Sequence, residues 1–191
     1  MNNLSLFALA LLFMAIAVFS VASNAHNAPE DAALARFAIE QSGIDARTAI
    51  ANVSKSYSGL IYQYELDDEG HRLVHEVKVI NLEDKRKYKI KIDVKTGDVI
   101  SEETKFVWSW FSEDEDITMA KRLQASRFSL TAALDLLEDL GRVDASVLLR
   151  QAELENNQGI FYFEIECYEA DGEKKWFIDI DSQKLIPVLR Q

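Results

Sequence analysis

The chain has 191 residues, 32 Asp and Glu against 21 Lys and Arg, a net charge of −11 and one cysteine, Cys167. Acidity on that scale argues against nucleic acid or anionic lipid as a general partner, and a single thiol makes neither an intrachain disulfide nor a thiolate metal cluster. Cys167 is expected to be a small buried hydrophobe, which leaves stability to packing alone.

The first 25 residues contain no Asp, Glu, Lys, Arg or His, and residues 4–21 are almost continuously apolar before Ala22, Ser23, Asn24 and Ala25. This pattern predicts a signal peptide over residues 1–25, cleaved between Ala25 and His26. The rival is an uncleaved anchor, since about 18 apolar residues can just cross a bilayer core. Either way the remainder is expected to be periplasmic or secreted, touching a membrane only through a retained leader.

Residues 30–42 place Leu34, Phe37, Ala38 and Gln41 at helical spacing, and Gly43 can end that helix. A second helix is expected with Asp45 as N-cap and Ala46, Ala49, Ile50 and Val53 on its inner face. The period then falls to 2, and residues 60–66, 73–80 and 88–94 read as strands. In the third, Tyr88, Ile90, Ile92 and Val94 alternate with Lys87, Lys89, Lys91 and Asp93, so one face should be buried and the other wet. Thr96 and Gly97 make a turn, and Val99 and Ile100 are expected to close the unit.

The pattern then starts again. Leu60, Gln63, Glu65, Leu66 and Glu76 return 88 positions later as Leu148, Gln151, Glu153, Leu154 and Glu164. Helices are expected from Glu115-Asp116 and from a Ser129 cap, the latter with Ala133, Leu134 and Leu137 inward. Strands follow over residues 147–154, 160–168 and 175–180. The hairpin at Asp171-Gly172 is two residues shorter than its counterpart, and an even change keeps the inside-outside phase. The expected fold is therefore α+β, with two tandem repeats, each of helices packed on one face of a small antiparallel sheet of about three strands. The expected divisions are a leader over 1–25, a first module over 26–100, an aromatic and acidic connector over 101–114 and a second module over 115–191.

The order helix, hairpin and Ile-Asp-Val-Lys-Thr-Gly-Asp-Val-Ile ending resembles the PepSY family. The residues that carry the resemblance are Tyr64-Glu-Leu to Gly70, His75-Glu-Val-Lys-Val, and residues 91–100. In the second half they are Ala152-Glu-Leu to Gly159, Phe163-Glu-Ile-Glu-Cys, and residues 178–186. That half departs at Gln183, where the family's turn glycine would fall, so its last turn is expected to be built differently. The resemblance implies binding, with restraint of a protease as one form of it, and brings no catalytic residues.

The residues themselves advertise no enzyme and no cofactor. His26, His71 and His75 are the only histidines, without a His-Glu-x-x-His, and no phosphate-cradling glycine loop or nucleophile elbow occurs. The acidic runs Asp67-Asp68-Glu69 and Glu113-Asp114-Glu115-Asp116 lack calcium-loop spacing and read as a turn and a helix N-terminus. Two features could bind a partner. Lys87, Lys89 and Lys91 form a basic stripe, read first as a partly paired face or protected edge, with Glu76 able to pair across the hairpin. Trp108, Trp110 and Phe111 sit where a linker is ordinarily polar, either filling the seam between modules or anchoring a partner. The expectation is an exported, non-catalytic binding or regulatory protein that takes a protein partner, with a small-ligand or metal-ion sensor as the alternative.

Overall fold

The computed structural model describes residues 28–41, 43–107, 115–144, 147–169 and 172–187. The signal-cleavage expectation at Ala25 and His26 lies outside them. In chain order the elements are α1 (Ala28–Glu40), α2 (Ala46–Ser56), β1 (Leu60–Asp68), β2 (Leu73–Asn81), β3 (Arg86–Asp93) and β4 (Val99–Phe106), then α3 (Glu115–Ser126), α4 (Leu130–Asp139), β5 (Leu148–Asn157), β6 (Ile160–Glu169), β7 (Gly172–Asp179) and β8 (Lys184–Leu185).

All eight strands form one antiparallel sheet in the order β4-β3-β2-β1-β5-β6-β7-β8. This corrects the expectation of two modules with about three strands each. Each half brings four strands, and β1 and β5 join them through the pairs Gln63–Glu153, Tyr64–Ala152 and Glu65–Gln151. Tyr64 and Ala152 are the residues 88 positions apart, so the strands cross at matching points and the two halves meet back to back.

Helices α2 and α4 cover one face. Ala46, Ala49, Ile50 and Val53 of α2 and Ala133, Leu134 and Leu137 of α4 share a single apolar cluster with Tyr64, Val77, Ile90, Ala152, Phe163, Ile165 and Ile178 of the strands. That cluster runs through both halves, and an isolated unit of about 75 residues would have little core of its own. The Asp45 carboxylate accepts from Thr48 N at 2.7 Å and Ser129 Oγ from Ala132 N at 3.1 Å, which caps α2 and α4 as their sequences require. Across the helix layer Arg47 binds Asp135 at 2.5 Å and Glu138 at 2.9 Å.

Two local expectations are corrected. In α1 it is Ala35 that is buried, while Leu34 and Phe37 remain about 60% exposed. The small side chain permits close approach, and Arg36 of α1 donates to the Tyr168 carbonyl of β6 at 3.2 Å. The last turn of the second half is built like the first, not differently. Gln183 takes the left-handed φ of 56° that Gly97 takes at 75°, and each N–H returns to the carbonyl four residues back, Asp179 or Asp93, at 2.9 Å.

Candidate binding surface

Side chains alternate across a sheet, so the face away from α2 and α4 carries Gln63, Glu65, Glu76, Lys78, Lys87, Lys89 and Lys91 in the first half. In the second it carries Gln151, Glu153, Glu155, Glu164, Glu166, Lys175 and Phe177. The arrangement of charge inverts between them. In the first half one buried carboxylate serves several ammonium groups, with Glu76 at 2.8 Å from Lys89, 3.6 Å from Lys91 and 3.7 Å from Lys78. In the second, Lys175 lies between two carboxylates, 2.6 Å from Glu164 and 2.5 Å from Glu166, and Glu166 also binds Arg150.

These contacts set the protonation of the face. Burial pushes the Glu166 carboxyl upward, but the hydrogen bonds and charges of Lys175 and Arg150 outweigh it and hold the group below its usual range. Glu65 moves the other way, raised by burial and by the nearby Asp67 and Glu76. Glu155 is also raised, by burial and then by Glu153, Glu164 and Glu115. Among the described residues no group of three or more His, Cys, Asp or Glu could hold a metal ion.

The lysine stripe is drawn into this network. Lys87 reaches Asp116 at the start of α3 at 2.5 Å, Lys89 holds Glu76, and Lys91 binds Glu69 at 2.9 Å and Asp67 at 3.8 Å. The stripe lies on β3, between β2 and β4, so it protects no edge. Trp108, Trp110 and Phe111 fall outside the described residues.

The sheet's two edges differ. β8 is two residues long, is extended by one bond from Ile186 N to Phe177 O at 2.8 Å, and so covers only the Phe177–Asp179 end of β7 before Pro187, which has no N–H to offer. β4 is eight residues long and open along its outer side, and all but Ser101 are exposed. Residues 101–106, expected as connector, are thus strand. Val99 and Phe106 are more than half exposed, and the Arg86 guanidinium lies 4.8 Å from the Phe106 ring centre. Val107 N donates to Lys85 O at 2.9 Å, which fixes the alternation of the ladder. Lys105 and Glu103 share the phase of Val107 and turn their backbone groups to β3, so Glu102, Thr104 and Phe106 point theirs outward. The sequence signal for this edge was weak, because Glu102, Glu103 and Lys105 interrupt any apolar alternation.

A buried polar pair links the first half's sheet to its helix layer. The Ile44 carbonyl can only accept, so His75 Nε2 donates to it at 2.9 Å, and Nδ1 accepts from the Tyr64 hydroxyl at 2.8 Å. Both side chains have no exposed surface. Burial holds the imidazole below its usual range against the opposing pull of the Ile44 carbonyl and Asp45.

Residues 43–103 match the family described as peptidase propeptide and YPEB domain. A PepSY domain is found there. The matched PepSY stretch runs from Gly43 through α2, β1, β2 and β3 into β4, ending at Glu103, so it contains most of the open edge. It indicates no catalytic family. No curated protein matches the chain. A solved structure from Clostridium difficile 630, described as a "putative lipoprotein", is 18% identical, with 80% of this chain and 97% of that chain covered at a TM-score of 0.42. Among the described residues no helix is long and apolar enough to cross a membrane.

Proposed function

We propose that this chain is an exported, non-catalytic binding module in which the β4 edge takes up an extended segment of a protein partner. The observation that carries the reading is the contrast between the two edges, one partly covered by β8 and ended by Pro187 and the other open over eight residues. Strand addition needs only unpaired backbone groups and neighbouring side chains to read the incoming strand, and Glu102, Thr104 and Phe106 supply the former. The PepSY match supports a binding role, and an extracytoplasmic protease held in check is the class of partner it favours. We read the second half as a further copy of the same unit, a reading supported by the shared element order and by the crossing of β1 and β5 at Tyr64 and Ala152. Trp108, Trp110 and Phe111 continue directly from the open strand and are proposed to extend the same surface.

The test is capture of partners from the host's own cell envelope by the wild-type chain and by Thr104→Pro. Proline removes the one outward N–H at the middle of the edge and no bond to β3. The expected result is a partner held by the wild type and lost in the variant; equal capture by both would remove the edge from the reading. Adding the chain to the host's extracytoplasmic proteases tests restraint, and unchanged proteolysis sinks that part.

A further inference from the structure

We propose that β4 is self-complementary, and that a second copy of this chain pairs its own β4 with it across a two-fold axis at Thr104. The inference rests on the reading of β4 as a strand-accepting edge and names an occupant.

Three observations lead to it. The first is edge length. Among the described residues β4 is the longest open edge, eight residues against the five of β7 (Gly172–Trp176) that β8 does not cover, so two copies joined at β4 remove the longest edge of each. The second is backbone phase. Glu102, Thr104 and Phe106 carry the outward groups, so an antiparallel partner must place these residues opposite one another, and every register that opposes an even position to an odd one is excluded.

The third observation is charge together with the length of strand that pairs, since an axis at Phe106 engages only the end of β4 and one at Ser101 runs into the register shift beside Val99. Centring the axis on Glu102 or Glu103 sets a carboxylate against its own copy, and centring it on Lys105 sets two ammonium groups together. Centring on Thr104 brings a neutral pair to the axis, Phe106 opposite the partner's Glu102, and Glu103 opposite the partner's Lys105, twice by symmetry. The Glu103–Lys105 pairs are then of the closely spaced, non-hydrogen-bonded kind, and about six backbone hydrogen bonds join residues 102–106 of the two strands. The pairing also answers a mismatch within one chain. Lys105 sits opposite Lys87 in the ladder, and the partner's Glu103 would come to its other side. Phe106, exposed on the single chain, gains a strand beside it.

The experiment is sedimentation equilibrium on the full chain as processed by an expressing bacterium, with Glu103→Lys, Lys105→Glu and a mixture of the two. Melting curves check that each variant is folded. The wild type is expected to dimerise reversibly, more weakly at high salt because the pairs are exposed. Each variant alone opposes like charges twice and should weaken the dimer by about tenfold or more. The mixture opposes only unlike charges and should restore it as a heterodimer. A wild type that stays monomeric up to its solubility limit overturns the proposal, as does a dimer that survives both single variants or is not restored by mixing. Capture of an envelope protein through β4 by a chain that never self-associates removes the dimer and leaves the proposed function standing. The charge-reversal pattern without any captured partner does the converse.

Discussion

His75 occupies a core position where the second half has Phe163, and it is neutral because both ring nitrogens are already committed. Its folded pKa lies below the usual 6.5, so the unfolded chain takes the proton first. Stability is therefore intact above about pH 6.5 and lost as pH falls from there toward the folded value, with a slope of at most about 1.4 kcal/mol per pH unit. Urea titrations at pH 7.5 and pH 5.5 should show this loss, and His75→Phe should flatten it; an equal slope in the variant would assign the titration elsewhere. Glu76 is the other residue whose burial matters. Removing its charge with Glu76→Gln leaves Lys78, Lys89 and Lys91 crowded around a neutral group and should cost about 1–3 kcal/mol. Part of that cost should disappear at 1 M salt, since the lysines are partly exposed and their repulsion is screened.

The elements owe their ends to local chemistry, and the caps and inward faces of α2 and α4 follow directly from their sequences. α1 was harder to read because alanines and larger apolar residues share it, and close packing through Ala35 turns Leu34 and Phe37 outward. The turn after β7 adopts glycine geometry without a glycine. The left-handed conformation costs a side chain about 1–2 kcal/mol, and glycine's extra unfolded-state freedom costs about 0.5–1 kcal/mol. Gln183→Gly is thus expected to stabilise the protein by up to about 1 kcal/mol, seen as a raised denaturation midpoint with unchanged m-value. On β4, Thr104→Pro should cost no more than about 1 kcal/mol, because the lost N–H faces solvent. A collapse of the melting temperature would show that Thr104 donates to β3 after all.

At the scale of the molecule, β1 lies in mid-sheet with β2 on one side and β5 on the other, and one apolar cluster spans both halves. The two halves are therefore expected to unfold in a single transition. Expressed alone, residues 28–107 would bare the β1 edge as well as β4 and lose the apolar cover of α3, whose Leu123 packs in the shared cluster. That fragment should aggregate or self-pair, whereas a stable monomer with cooperative melting would establish the first half as an independent domain.

Period, phase and caps are legible along the chain because each depends on residues a few positions apart, and so α2, α4, three strands of each half and their inner faces follow from the sequence. The 88-residue offset even held the crossing point of β1 and β5, although nothing in it said that the strands would touch. Which strands became neighbours was settled in three dimensions, since backbone donors and acceptors are the same at every residue and side-chain alternation does not name a partner. For the same reason residues 101–106 passed for connector: β4 is an edge with almost no burial, and an edge leaves little hydrophobic trace in its sequence. The lysine stripe was visible but its meaning was not, because only the folded sheet brings Glu69, Glu76 and Asp116 against it.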